Sequence, residues 1–80
     1  MTADAGKDAL ALDLRGLKCP LPALRTRKAL ATLAPGDRLD VSATDPMAAI
    51  DIPHLVRQTG DHLEDSTREN GVLRFRIRKA

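Results

Sequence analysis

Asn70-Gly71-Val72-Leu73-Arg74-Phe75-Arg76-Ile77-Arg78-Lys79 is the stretch on which the fold turns. Leu73, Phe75 and Ile77 fall on one side of an extended chain and Arg74, Arg76 and Arg78 on the other, the period of a strand with one buried face. Asn70-Gly71 ahead of it is the strongest short-range hairpin signal. His62 to Glu69 is therefore the partner strand, and its charged, weakly apolar composition suits a sheet edge. Working outward, Leu39, Val41 and Ala43 alternate with Arg38, Asp40, Ser42 and Thr44 in a second one-faced strand. Leu10, Leu12 and Leu14 alternate with Ala9, Ala11 and Asp13 in a third.

Two helical segments separate these strands. Pro20 and Pro22 open the first, and good helix formers continue it to Ala34 with Ala23, Thr26, Leu30 and Leu33 as the inner stripe. Pro35-Gly36-Asp37 stops it. Asp45-Pro46 reads as a cap followed by proline at the first helical position. That second helix runs to about Thr59, with Ile52, Leu55, Val56 and Thr59 facing in, and Gly60 ends it. Pro53 disfavours helical backbone at Ile52, so this helix either begins properly near Asp51 or kinks.

Because every strand is apolar on one face only, the helices must cover one side of the sheet and water the other. The expected architecture is an α/β two-layer sandwich of order β-α-β-α-β-β, a mixed four-stranded sheet with two helices on one face. Met1 to Asp8 reads as a flexible tail and residues 9–80 as a single domain.

Size bounds the chemistry. A chain of 80 residues buries only roughly 60% of its unfolded surface, so a deep enclosed site is not expected. No apolar run is long enough for a membrane span and no secretory signal stands out, which points to a cytoplasmic protein without a membrane partner. The single cysteine rules out an intrachain disulfide and a self-contained dithiol oxidoreductase, and a free thiol fits a reducing compartment. Net charge is only +2, a weak argument for nucleic acid.

Chemistry concentrates in Gly16-Leu17-Lys18-Cys19-Pro20-Leu21-Pro22. Cys19 falls at the N-cap or first turn of the first helix, where unpaired amides and the helix dipole favour an anion. Lys18, with Arg15 behind it, adds positive charge, so a lowered thiol pKa is expected. Gly16 turns the chain, Pro20 and Pro22 fix its entry into the helix, and the amides of Leu21 and Ala23 remain as donors to sulfur. A lone cysteine is often a small buried hydrophobe. Its place after a glycine turn and before Pro-x-Pro sets this one at a rim instead.

This segment, with Pro35-Gly36-Asp37, Asp45-Pro46, Asp51-Ile52-Pro53 and a basic last strand, resembles the TusA (SirA-like) family of sulfur carriers, from Leu10 to Lys79. The resemblance implies the same two-layer fold and sulfur accepted as a persulfide on Cys19, a sulfurtransferase-like activity that works through partner proteins. It also implies a cysteine desulfurase or rhodanese-like donor and a downstream acceptor, in tRNA thiolation, molybdenum cofactor synthesis or sulfur oxidation. Some relatives handle selenium. The chain departs from the best-known member in carrying Ile50 where that protein has an arginine shortly before Asp-Ile-Pro, and in His54 after Pro53, so no single pathway is indicated.

Other residues have plainer readings. Asp45 caps the second helix. If the first two strands run parallel, Asp45 and Pro46 also reach the rim beside Cys19 and can meet a partner. Arg74, Arg76 and Arg78 form a basic stripe that is either a solvated face or a dock for an acidic partner or RNA phosphates. An RNA-binding or regulatory module on that stripe is the alternative function, and the absence of tyrosine and tryptophan weakens it. His54 and His62 lie on different elements without a second cysteine, so no metal site is expected, and no cofactor motif is present.

Overall fold

The computed structural model describes residues 9–80, so the tail expected at Met1 to Asp8 lies outside the described residues. The elements are β1 (Ala9–Leu14), α1 (Leu21–Ala31), β2 (Arg38–Ala43), α2 (Ala48–Thr59), β3 (His62–Glu69) and β4 (Val72–Arg78), the expected β-α-β-α-β-β order. They form a four-stranded sheet in the order β1-β2-β4-β3. β1 runs parallel to β2, and the other two pairings are antiparallel, so the sheet is mixed.

Register explains the layering. Leu10, Leu39 and Ile77 share one cross-strand row, Leu12, Val41 and Phe75 the next, and Leu14, Ala43 and Leu73 the third. These rows meet Leu30 of α1 and Ala48, Ile52 and Val56 of α2 in one core. Burying each such branched or aromatic side chain contributes about 1.5–3 kcal/mol. β2 and β4, in the middle, bury every second residue, whereas Leu10 at the start of edge strand β1 stays exposed.

β3 is exposed along its whole length, as its composition predicts for an edge. Its register shifts between Leu63 and Asp65. The extra residue, Glu64, accepts from Arg38 at 2.7 Å and from Arg78 at 3.0 Å. Those two arginines sit directly opposite each other across β2 and β4, and the shared carboxylate offsets their repulsion.

Both helices depart from their expected limits. α1 ends at Ala31 rather than Ala34: the amides of Thr32 and Leu33 close shorter turns onto Ala29 and Leu30, and Asp37 takes the Ala34 amide. Its buried stripe is Pro22, Thr26 and Leu30, with Ala23 and Leu33 only half-buried. α2 spans Pro53 without a break, beginning at Ala48 through i→i+3 bonds from Ala48 to Asp45 and from Ala49 to Pro46. Pro53 has no amide to give, so it only deprives the Ala49 carbonyl of a helical partner. Ala48, not Thr59, completes the inner stripe of α2. Gly60 ends this helix at φ 82°, a conformation glycine adopts without strain.

Candidate functional site

Parallel pairing of β1 and β2, with Leu14 opposite Ala43, delivers both following loops to one end of the sheet. There they lock together. Gly16, at φ 86°, occupies a turn closed by the Leu17 amide on the Leu14 carbonyl, and its own amide donates to the Thr44 hydroxyl at 2.8 Å. A side chain at that φ would be strained, so glycine is required by the backbone rather than by crowding. Asp45 divides its carboxylate: Oδ1 accepts from the Met47 amide at 3.1 Å and Oδ2 from the Cys19 amide. It is not the expected helix cap, because α2 begins at Ala48 with Met47 as its N-cap and Pro46 lies ahead of the helix. Asp45 instead closes the turn before it and clamps the cysteine loop to that turn.

Cys19 is exposed, as its sequence position implies, and it precedes a cis peptide bond to Pro20. It is not inside the helix start. Pro20 is the N-cap of α1, which places Cys19 one residue outside, and Pro22 is buried in the first turn. The Leu21 amide, expected as a donor to sulfur, is spent on the Lys18 carbonyl at 2.8 Å.

Instead of amides, sulfur meets a carboxylate. Cys19 Sγ donates to Asp51 Oδ2 at 3.3 Å, from the first turn of α2. The expected lowering of the thiol pKa is therefore reversed. The bond to Asp51 pushes it above the ordinary thiol value, with desolvation and the negative charges of Asp51 and Asp45 adding to the effect. Arg15 does not counter this, because its guanidinium grips Asp13 through two 2.9 Å bonds and holds that carboxyl at about 2. Lys18 makes no ion pair among the described residues.

Asp51 is the site residue that motif reading missed. It lies 32 positions from Cys19 and on another element, yet the signal was present. Parallel β1 and β2 bring both helix starts to one end, and the first turn of α2 holds this one acid.

Shallow grooves flank the cysteine. Lys18, Asp45 and Pro46 line one with Gly16 and Thr44. Pro20, Leu24, Arg27, Asp51 and His54 line the other, between the two helices. Leu21 and Leu24 on α1, and Met47 and Ile50 at the start of α2, are large apolar side chains left exposed.

Arg74, Arg76 and Arg78 lie on β4 and are not brought to this rim. The arginine stripe is neutralised in part. Arg76 grips Asp40 at 2.9 and 3.1 Å, and Arg78 bonds Glu64, while Arg74 lines a shallow groove with Asp40, Asp65 and Thr67. No helix among the described residues is long and apolar enough to cross a membrane.

Comparison with known proteins bears on the family and the fold. A family model described as Sulfurtransferase TusA matches residues 10–79. The chain is 52% identical over 62 residues to a Neisseria meningitidis protein provisionally named as a sulfur carrier, covering 78% of this chain and 84% of that one. It is 44% identical over 69 residues to the sulfur carrier protein TusA of Allochromatium vinosum, covering 86% and 91%. Among solved structures, the SirA-like protein of Desulfitobacterium hafniense superposes with a TM-score of 0.75 at 24% identity, over 85% of this chain and 93% of that one. That likeness concerns the fold.

Proposed function

Because the chain belongs to the Sulfurtransferase TusA family, we propose that Cys19 carries sulfane sulfur as a persulfide between two cytoplasmic partner proteins. The observation that carries this reading is an exposed lone thiol on a rim fixed by two hydrogen bonds between its own loop and the Thr44–Asp45 loop. A carrier must present its sulfur to a donor and then to an acceptor, which a shallow exposed site allows and a deep pocket prevents.

The transfer balances without a cofactor. Cys19 sulfur attacks the terminal sulfur of a donor persulfide; a new S–S bond forms at Cys19 as the donor's own S–S bond breaks. The Cys19 proton ends on the donor's departing thiol, and onward delivery repeats the exchange with Cys19 as the leaving group. The exposed Leu21 and Leu24 of α1 and Met47 and Ile50 at the start of α2 supply apolar surface for both partners, the donor being of cysteine desulfurase or rhodanese type. The direct test is incubation with a cysteine desulfurase and radiolabelled cysteine. Label should remain on the protein in a non-reducing gel and leave with dithiothreitol; an unlabelled protein beside a labelled desulfurase would refute carriage.

The sheet face has a separate test. Converting Arg74, Arg76 and Arg78 to glutamine should leave the fold and the loading of Cys19 unchanged, since exposed ion pairs contribute little and these side chains lie on the sheet face opposite the buried Leu73, Phe75 and Ile77. Any binding of RNA by the wild type should be weak and fall steeply with salt. Fluorescence anisotropy at two salt concentrations measures it. Tight, salt-tolerant, sequence-selective binding lost in the triple variant would put an RNA module in place of the carrier.

A further inference from the structure

Sulfur exchange requires thiolate, yet the groups around Cys19 favour the thiol. We infer that Asp51 is a protonation lock on Cys19, released when a sulfur donor brings a lysine or arginine against the Asp45–Asp51 carboxylate pair. This rests on the carrier reading and adds to it how the nucleophile is controlled.

The geometry carries the inference. Asp51 Oδ2 accepts the thiol proton's hydrogen bond at 3.3 Å, while Asp45 holds the backbone amide of the same residue. Two carboxylates, from one element and its leading loop, thus hold a single residue, Asp51 at its sulfur and Asp45 at its amide. Ionising that sulfur would set a third negative charge among them and forfeit the bond to Asp51. Among the described residues, the neighbouring basic side chains make no ion pair that would relieve this. Lys18 is adjacent in the chain, and Arg27 and His54 line the Asp51 groove, but none makes an ion pair with Asp45 or Asp51 among the described residues. Arg15 is committed to Asp13.

Such a lock answers a problem the exposed site creates. A standing thiolate at this rim would be alkylated, oxidised or captured as a mixed disulfide between encounters. A thiol waiting for a cation reacts only where a donor docks. The lock also acts on the loaded form. A persulfide is more acidic than a thiol, so it is anionic at neutral pH and is repelled by the same pair, which favours delivery over retention.

The test is the pH dependence of iodoacetamide labelling, which needs no sulfur donor and so stands apart from the carrier reading. The wild-type midpoint should lie above that of a model thiol; a midpoint at or below it overturns the lock without a variant being made. Asp51→Asn should move the midpoint down and raise labelling at pH 7 several-fold, with Asp51→Glu restoring most of the wild-type profile. Loading from inorganic polysulfide, which brings no cation, should quicken in Asp51→Asn, while loading from a cysteine desulfurase should gain much less. A profile for Asp51→Asn that superposes on the wild type, or equal acceleration with both donors, overturns the proposal. Far-UV circular dichroism of each variant shows that the fold is retained.

Discussion

Phe75→Ala is expected to lower the melting temperature of this domain by roughly 12–40 °C, the equivalent of about 3–5 kcal/mol. Phe75 is the only aromatic residue in the chain. It sits at the centre of the sheet, paired with Val41 on one side and Ser66 on the other, and is 2% exposed. Its ring has no substitute, because Ile52 and Val56 of the same core cluster hang from a helix and cannot collapse into the space. Small domains have total stabilities near the low end of about 5–15 kcal/mol. The loss is therefore a large share of the whole. Thermal unfolding followed by far-UV circular dichroism measures it, and a shift of only a few degrees would mean that the core does not centre on this row.

The same row shows why the fold was legible. Alternation in β4 and β2 reports a physical constraint, since a one-residue slip would turn every apolar side chain to water. Asn70 at φ 52° and Gly71 at φ 79° adopt the left-handed backbone that a tight hairpin needs, which is why that dipeptide announced the turn. Helix ends were less legible. Their limits depend on tertiary partners, such as Asp37 reaching back to Ala34, that periodicity does not encode. Pro53 does not delay the start of α2 to Asp51, because a missing amide forbids a helical bond only locally and the buried stripe of Ala48, Ile52, Leu55 and Val56 holds the helix across it.

The site divides the same way. Cys19, Gly16 and the prolines were legible because the requirement is local: a turn, a fixed φ, a single thiol. The charge state of the sulfur was not. Reading Cys19 as the helix N-cap predicted an anion-favouring site. Cys19 lies one residue outside the N-cap, the Leu21 amide is taken by Lys18, and the sulfur bonds Asp51 instead, with the charge of Asp45 adding to the effect. Long-range pairing decided the sign, and nothing in the spacing of the cysteine motif encodes it.

Cys19→Ser should abolish sulfur loading completely, because the hydroxyl cannot form a persulfide and the chain holds no second thiol to replace it. The substitution should cost little stability, since the side chain is exposed and the clamp from Asp45 uses the backbone amide. Loss of loading with an unchanged melting curve would therefore separate chemistry from folding. The deciding measurement is the intact mass of wild type and Cys19→Ser, each incubated with a cysteine desulfurase and cysteine. Persulfide carriage predicts a gain of one sulfur atom on the wild type, reversed by dithiothreitol, and none on the serine variant. The same gain on the serine variant, or an unmodified wild type beside a thiol peptide that loads in the same tube, would contradict it.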